Sequence, residues 1–584
     1  MFIRPCYRHK DGKRHAYWAL VESYRTERGP RQRIVAYLGR LDEEGRLGVQ
    51  QAAAGESTNQ QPCLPFAQET VGQDPLEAQP RWVTVNASAV RVEHCVQFGG
   101  PWLALELIKK IGLDEFLRQH LPGGQAEIRW SSMALVLIIC RLCRPSSELY
   151  IAEHFYRETA LAGLLGVPAA KVNETRLYRA LDQLLPHKQE LEAFLKQQLG
   201  ELFELEYDLL LYDVTSTYFE GQAKGNPKAQ FGYSRDKRSD CRQVCIALVV
   251  SRCGLPIGYE VFAGNRRDST TVEEIVTTME ARYGKSGRVW VMDRGMLTEA
   301  NVRFLQADGR RYILGTPKSM LKQFERELLE ESWDQVREGV EVKLCPSPAG
   351  NAETFILCRS RDRLEKEKAI FARFESRLEE GLKKLAASCQ KTKQSAVQIA
   401  ERVGRLKGAN SRVARLFDVR VEDEDGRATL SWSKRESLRQ WLTLTDGCYV
   451  LRSNVQDWTP EELWQAYIQL TEAESAFRIQ KSDLRIRPVW HQKEDRVLAH
   501  ILVCFLAYVL WKALAGLCRR AGLGDEPRRV LAELGDLRMM DVILPTSEGI
   551  ELHRRCVSRP NEHQAILLQR LGLELPRSLE TTEL

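Results

Sequence analysis

At 584 residues the chain is too long for a single hydrophobic core, and it implies about three or four domains. Its 43% hydrophobic and 28% charged residues fit a soluble globular protein, and the greasiest stretch, Ile501 to Trp511, falls far short of a membrane span. Fifteen cysteines without a framework, and an N-terminus without an apolar signal core, argue against a secreted disulfide scaffold and for a reducing cytosol.

The net charge of +6 announces no partner, but the positive charge is clustered. Residues 1–40 hold ten Lys/Arg against three acids, giving +7. Residues 361–415 hold fifteen against seven, giving +8. Such clusters suit a polyphosphate, because neutralising phosphates releases counterions; a solvated helix face gives the same pattern over any one cluster. In chain order, HAYWALVESYR and RQRIVAYLG read as two strands joined by the turn RTERGP, a small basic β-hairpin. Residues 51–80, rich in Gln, Ala, Pro and Gly, read as a linker.

From about Gly100 to Leu205 the apolar spacing is helical. Cys140 and Cys143 lie inside the apolar run MALVLIICRLC with no second pair, so buried helix thiols are a better reading than a zinc site. Asn173 opens a helix to Leu185 with Leu177, Ala180, Leu181 and Leu184 on one face. It reads as a bundle helix, or as the second helix of a helix-turn-helix with Arg176 and Arg179 outward.

After Leu205 strands and helices alternate. YDLLLYDVTSTYF gives a strand ending near Asp213, followed by the strands CRQVCIALVVSR and LPIGYEVFAG. A helix then opens at Thr270, with Glu273 completing a capping box, before the strand RVWVMD, a helix from Thr298 and the strand RRYILGT. Strand, strand, strand, helix, strand, helix, strand is the connectivity of a ribonuclease-H-like α/β domain. From about Lys318 to Leu451 β-type pieces surround a charged helical stretch, which reads as an insertion. Thr459-Pro460-Glu461-Glu462 starts a further helix, broken or continuous, reaching about Leu484, and the last hundred residues read as helical.

Two acids stand out. Asp213 and Asp293 each end an apolar strand, on strands that this topology makes neighbours, and a carboxylate there is costly unless it meets a cation or a donor. Paired hard oxygen ligands suit magnesium. A third acid is expected from a later helix, and Glu474 fits. At helical spacing Glu474, Arg478, Lys481 and Arg485 share a stripe beside the apolar Leu470, Ala473, Phe477 and Leu484. An amphipathic helix with ordinary ion pairs would look similar.

TEAESAFRIQKSDLRIRPVWH, LLLYDVTSTYFEG and VWVMDRGM together resemble the DDE transposases of bacterial insertion sequences. The likeness is to the branch with a Tyr-x2-Arg-x3-Glu-x6-Lys signature and a β-rich insertion before the last acid. Tyr467, Glu474 and Lys481 match that signature, whereas Leu470 stands where its Arg belongs, with Arg478 as a substitute. The resemblance spans about Leu209 to His491, and the basic arm ending AYLGRLDE is similar to that of a subgroup. It implies cut-and-paste DNA transposition, in which Asp213, Asp293 and Glu474 are both catalytic residues and ligands of two magnesium ions, or manganese in their place. Water and then a DNA 3′-hydroxyl would be activated for in-line attack on phosphorus. Lys481 would hold a phosphate and Tyr467 would orient DNA. Arg294, Arg478, Arg485 and the stretch Lys224 to Arg242 are candidate backbone contacts or solvated side chains. Trp432 and Trp441 lie where the family stacks an unpaired base, although core packing suits either.

The expected partners are the terminal inverted repeats of the protein's own element and target DNA, bound by a homodimer without a membrane, in the cytoplasm and on the nucleoid when DNA-bound. The expected organisation is a basic β-hairpin arm (1–50), a linker (51–80), a helical DNA-binding domain (81–205) and a ribonuclease-H-like core (206–317 and 452–495). The core is interrupted by a β-rich and helical insertion (318–451) and followed by a helical C-terminal region (496–584). The competing readings are a ribonuclease-H-like metal nuclease of another class and an inactive DNA-binding relic. An ATP-driven enzyme is disfavoured, since Met279 stands where a phosphate loop before Gly284-Lys285-Ser286 needs glycine.

Overall fold

A computed structural model describes residues 2–10, 13–26, 29–39, 83–121, 123, 127–204, 207–285, 287–424, 427–576 and 580–583. The expected linker at 51–80 lies outside the described residues. The chain divides into two compact units. The first comprises Met1–Glu206, Val214–Arg266 and Glu474–Leu584, and the second Tyr207–Asp213 and Arg267–Ala473.

The N-terminal arm is an antiparallel meander of β1 (Phe2–Lys10), β2 (Lys13–Thr26) and β3 (Gly29–Gly39). It is thus a three-stranded sheet rather than a hairpin, with FIRPCYRHK supplying the extra strand in register from Phe2–Val21 to Lys10–Lys13. After β4 (Arg91–Gln97) come the helices α1 (Gly99–Lys110), α2 (Trp130–Cys143), α3 (Glu174–Leu184) and α4 (Lys188–Phe203). In α2 Cys140 is fully buried, and burial pushes its thiol up to about 12. Helix α3 is capped by Asn173, whose side chain accepts from the Arg176 amide at 2.9 Å, and Leu177, Ala180, Leu181 and Leu184 are buried as their spacing predicts. Arg179 is exposed, but Arg176 is committed to Glu127 and to the Lys171 carbonyl.

Strand β5 (Leu209–Tyr218) follows, with its first five residues in the second unit and its remainder in the first. In the first unit β6 (Gln243–Val250) pairs antiparallel with β7 (Pro256–Ala263), and β6 is buried along its whole length. In the second unit α5 (Val272–Tyr283) leads to β8 (Val289–Met292), and α6 (Glu299–Ala307) leads to β9 (Arg311–Gly315). β5, β8 and β9 are mutually parallel. The chain enters α5 differently from its prediction. A 3-10 turn at Asp268–Thr270 intervenes, the N-cap residue is Thr271, and no side chain caps the helix. The Thr271 hydroxyl is instead engaged by the Asp268 carbonyl and, at 2.6 Å, by the Tyr212 hydroxyl.

The insertion region builds outward from the same sheet. After β10 (Asp334–Arg337), β11 (Val340–Pro346) and β12 (Thr354–Ser360), two helices pack together, α7 (Arg361–Lys391) and α8 (Ala396–Ala409). β13 (Phe417–Glu424), β14 (Arg427–Lys434), α9 (Glu436–Thr445) and β15 (Cys448–Ser453) complete it. The second unit's strand order is β10-β11-β12-β15-β9-β8-β5, with every pair beyond β9 antiparallel. The charged helix α7 has a core of its own, in which Leu378, Leu382, Ile399, Phe417 and Ala428 are buried and Trp432 packs against them.

The helix expected from Thr459 to about Leu484 is two, α10 (Pro460–Ile468) and α11 (Leu470–Ser482). Thr459 and Glu462 form a capping box and Pro460 sits in the first turn. Helix α12 (Glu494–Arg520) is long and apolar enough to cross a membrane, but 94% of its most apolar window is buried, packed against α2 and α3. It is a core helix, as the sequence predicts. The remaining C-terminal residues are only partly helical. β16 (Arg538–Pro545), β17 (Glu551–Val557) and β18 (Glu580–Glu583) join β4 in a sheet of order β18-β17-β16-β4. The strands escaped local reading because β16 finds its partner more than 400 residues earlier in the chain.

Candidate active site

The two acids are neighbours, but Asp213 is not at a strand end as expected: β5 runs on to Tyr218 and holds Asp213 in its middle, whereas Asp293 directly follows the last residue of β8. β5 and β8 run parallel in the register Leu209–Val289 to Tyr212–Met292, and one residue further on sets Asp213 opposite Asp293. Adjacent strands lie about 4.8 Å apart, so the two carboxylates leave one sheet edge side by side. Each follows four buried residues and is itself half-buried, and after Asp213 the strand is buried again from Val214 to Thr217.

The turn after Asp293 is fixed by its surroundings. Asp293 caps the 3-10 turn Arg294–Met296, its carbonyl accepting from the Met296 amide at 3.0 Å. Asn301, on the first turn of α6, donates to the Met296 carbonyl at 2.7 Å and to the Ser269 carbonyl at 2.8 Å. Arg294 is exposed on this turn.

Tyr467 belongs to the same place. Helix α10 lies on β8, β9, β11 and β12, and brings the Tyr467 hydroxyl against Gly315 at the end of β9. A Cβ at Gly315 would collide with that hydroxyl and come within 2.9 Å of the Arg294 backbone nitrogen. Burial pushes the Tyr467 phenol well above its ordinary range, and the charge of Asp293 pushes it further in the same direction. The signature tyrosine is therefore a neutral hydroxyl beside the second aspartate.

The other signature positions lie on α11, whose Leu470 to Ala473 belong to the second unit and whose residues from Glu474 onward belong to the first. Glu474 and Arg478 are exposed, and Arg478 donates to the Ser475 hydroxyl at 2.9 Å. Leu470, in the place of the signature Arg, is buried. Ala473, Phe477 and Leu484 are buried too, as the periodicity predicts. Arg485 does not share the helix stripe. The helix ends at Ser482, and Arg485 is an exposed loop residue with φ +46°. Lys481 is largely buried, its Nζ 3.0 Å from Asp236 Oδ1, and Arg487 contacts the same oxygen. Neither Asp236 nor Arg487 was picked out from the sequence. The available signal was one of two acids, Asp236 and Asp240, inside the basic stretch Lys224 to Arg242, which signifies little without knowing its partner.

Behind this segment lies a buried polar cluster. Arg141 of α2 donates to the Leu484 and Arg485 carbonyls at 3.4 and 3.3 Å, and its Nη2 lies 3.4 Å from His500 Nδ1. His500 Nε2 faces the Ile486 carbonyl at 3.2 Å, and His491 Nε2 lies 3.3 Å from Glu148. Burial and the neighbouring Arg141 hold the His500 imidazole well below its ordinary range. Burial is the largest influence on Glu148 and opposes its ionisation, but the hydrogen bond and charge of His491, with a backbone hydrogen bond and the electrostatic interaction with His500, together outweigh it and keep the carboxyl below the usual range.

The structure thus brings together Asp213, Asp293, Tyr467 and Arg294 in one unit, and Lys481 with Asp236 and Arg487 in the other. Among the described residues no three His, Cys, Asp or Glu side chains are grouped so as to hold a metal ion. Both tryptophans flagged in the insertion pack on apolar cores, Trp432 against that of α7 and Trp441 against the core around Phe324 and Phe355.

Comparison with known proteins gives two family matches. A model described as the transposase DDE domain matches residues 204–510, and one described as the IS1634 family transposase N-terminal domain matches residues 3–63. A search of curated proteins finds no match. Among solved structures, a cryo-EM structure of a piggyBac transposase synaptic complex with hairpin DNA aligns at a TM-score of 0.35 and 10% identity. That alignment covers 78% of this chain and 82% of the other, and at that score it carries no argument.

Proposed function

The chain belongs to the DDE transposase family and is a DNA transposase of an insertion sequence, and we propose that Asp213, Asp293 and Glu474 are its catalytic carboxylates. The paired register of Asp213 and Asp293 is the observation that carries this reading. Glu474 joins them on the signature spacing from Tyr467 to Lys481. The connectivity from β5 to β9, a meander followed by two helical crossovers to parallel strands, supports a ribonuclease-H-like core interrupted between β9 and α10.

As a DDE transposase the protein binds DNA and uses divalent metal ions. The donors fit magnesium, which favours one or two carboxylates, retained waters and substrate phosphate over an all-protein cage. Asp213, Asp293 and Glu474 would hold two such ions, which when bound activate the attacking oxygen and stabilise the leaving one. The protein supplies no covalent nucleophile. Asp213, within β5, and Asp293, just after β8, present oxygens from a rigid sheet, so little reorganisation is needed at the moment of reaction. Tyr467, neutral and wedged against Gly315, keeps a hydroxyl beside Asp293 that orients the DNA. Lys481 grips a backbone phosphate, and Arg294, Arg478 and Arg485 are further DNA-backbone contacts in this reading. The working form is a homodimer joining two element ends, in the cytoplasm at the nucleoid.

The test incubates the protein with DNA from the ends of its own element and magnesium, and maps the nicks. Asp213→Asn, Asp293→Asn and Glu474→Gln should each lower cleavage by roughly a hundredfold or more while DNA binding persists. Glu472→Gln, two residues away, should leave cleavage intact. Full-rate cleavage by Asp213→Asn would remove the carboxylate model.

A further inference from the structure

The contact between Asp236, Lys481 and Arg487 is odd for a structural ion pair. Asp236 lies between β5 and β6 with its side chain 6% exposed. Lys481 and Arg487 both converge on Oδ1. Oδ2 is buried with no hydrogen-bond partner. An arginine–carboxylate pair usually engages both oxygens, and a buried unsatisfied oxygen carries a desolvation cost.

The backbone on both sides is held in an uncommon conformation. Lys237, adjacent to Asp236, has φ +59°, and Arg485, two residues before Arg487, has φ +46°. Non-glycine residues occupy this region at a cost, and such strain concentrates at functional sites. The loop carrying Asp236 is pinned. The Arg235 amide donates to Ser216 Oγ at 3.4 Å, the Arg238 amide to Ser234 Oγ at 3.0 Å, and Gln243 Nε2 to the Tyr233 carbonyl at 3.1 Å. The same loop carries Tyr233, 86% exposed, and an exposed Lys237, while Arg238 is paired with Asp240 and Glu220. An exposed ring on a loop with an exposed lysine suits a nucleic acid.

We propose that Lys481 and Arg487 form a binding site for a DNA backbone phosphate, and that Asp236 occupies it as a carboxylate stand-in until DNA displaces it. A phosphate has oxygens enough to satisfy both cations, where the carboxylate uses one. This rests on the transposase reading, adds Arg487 to the DNA contacts and gives Asp236 the role of an internal competitor.

The test compares wild type, Asp236→Asn, Arg487→Gln and the double variant in binding a short DNA duplex with a chelator present. Asp236→Asn should bind about three- to tenfold tighter at fixed salt. Arg487→Gln should bind more weakly and flatten the slope of log K against log salt by about 1, the signature of one lost phosphate contact. The double variant should lose the gain. If Asp236→Asn binds no tighter, or keeps its gain without Arg487, the stand-in is refuted. Should Asp236→Asn fail to fold, Arg487→Gln alone decides, since an unchanged salt slope overturns the site. Because no metal is present, this outcome is independent of whether Asp213 and Asp293 carry cleavage.

Discussion

Gly315 shows how much a single atom can set. Its missing Cβ is the space that the Tyr467 hydroxyl and the Arg294 backbone share. Gly315→Ala should therefore cost about 1–3 kcal/mol by overpacking. It should also slow cleavage more than it weakens DNA binding, a split that single-turnover and binding measurements on one preparation would reveal. Asp213 and Asp293 were legible in the sequence, because a carboxylate directly after an apolar run contradicts its surroundings and needs a reason, although β5 continues past Asp213 to Tyr218. Gly315 was not, because the residue that fills its space lies more than 150 positions later. Leu470 was legible as a departure, and its burial shows why an arginine would not fit that face of α11 without repacking. Asp236 stayed hidden because an acid in a basic run means nothing until its partners are known.

Among the elements, α12 and α2 hold the segment that follows α11, through Arg141 and His500 on the carbonyls of residues 484–486. His500 stays neutral in the folded protein, its affinity for protons held below the ordinary value of 6.5. The unfolded chain takes up that proton as pH falls below about 6.5, so acid favours unfolding. Glu148, held below its ordinary 4.5, acts in the same direction, since its stabilisation is present above that value and is lost as pH falls below it. The melting temperature should accordingly fall from about pH 7 to about pH 5, before most carboxylates titrate, and His500→Gln should flatten that part of the curve. A wild-type curve flat to about pH 5 would contradict this. Elements with strong internal periodicity, such as α3, α12 and the alternation from β5 to β9, were readable because the pattern that defines them is local. β4 and β16 were not, because neither is apolar enough to declare itself without the other.

For the whole molecule, the first unit is assembled from three stretches of chain separated by the second. Composition pointed to several domains, but no local feature could show that residues 91–97 pair with residues 538–545. A version ending at Leu537 should lose the partner of β4. It should aggregate or be trimmed by protease in its first unit, while the second unit's sheet stays protected, as mass spectrometry of the fragments would show. Protein synthesis adds about 5–20 residues per second. The interval between the emergence of β4 and of β16 is thus on the order of half a minute or more, during which β4 has no partner to pair with. A ribosome that stalls or terminates early therefore releases a chain whose first unit is open-edged and vulnerable to degradation. Only translation past β16 completes that sheet, so the fold itself acts as a check on whether the message was read at least that far.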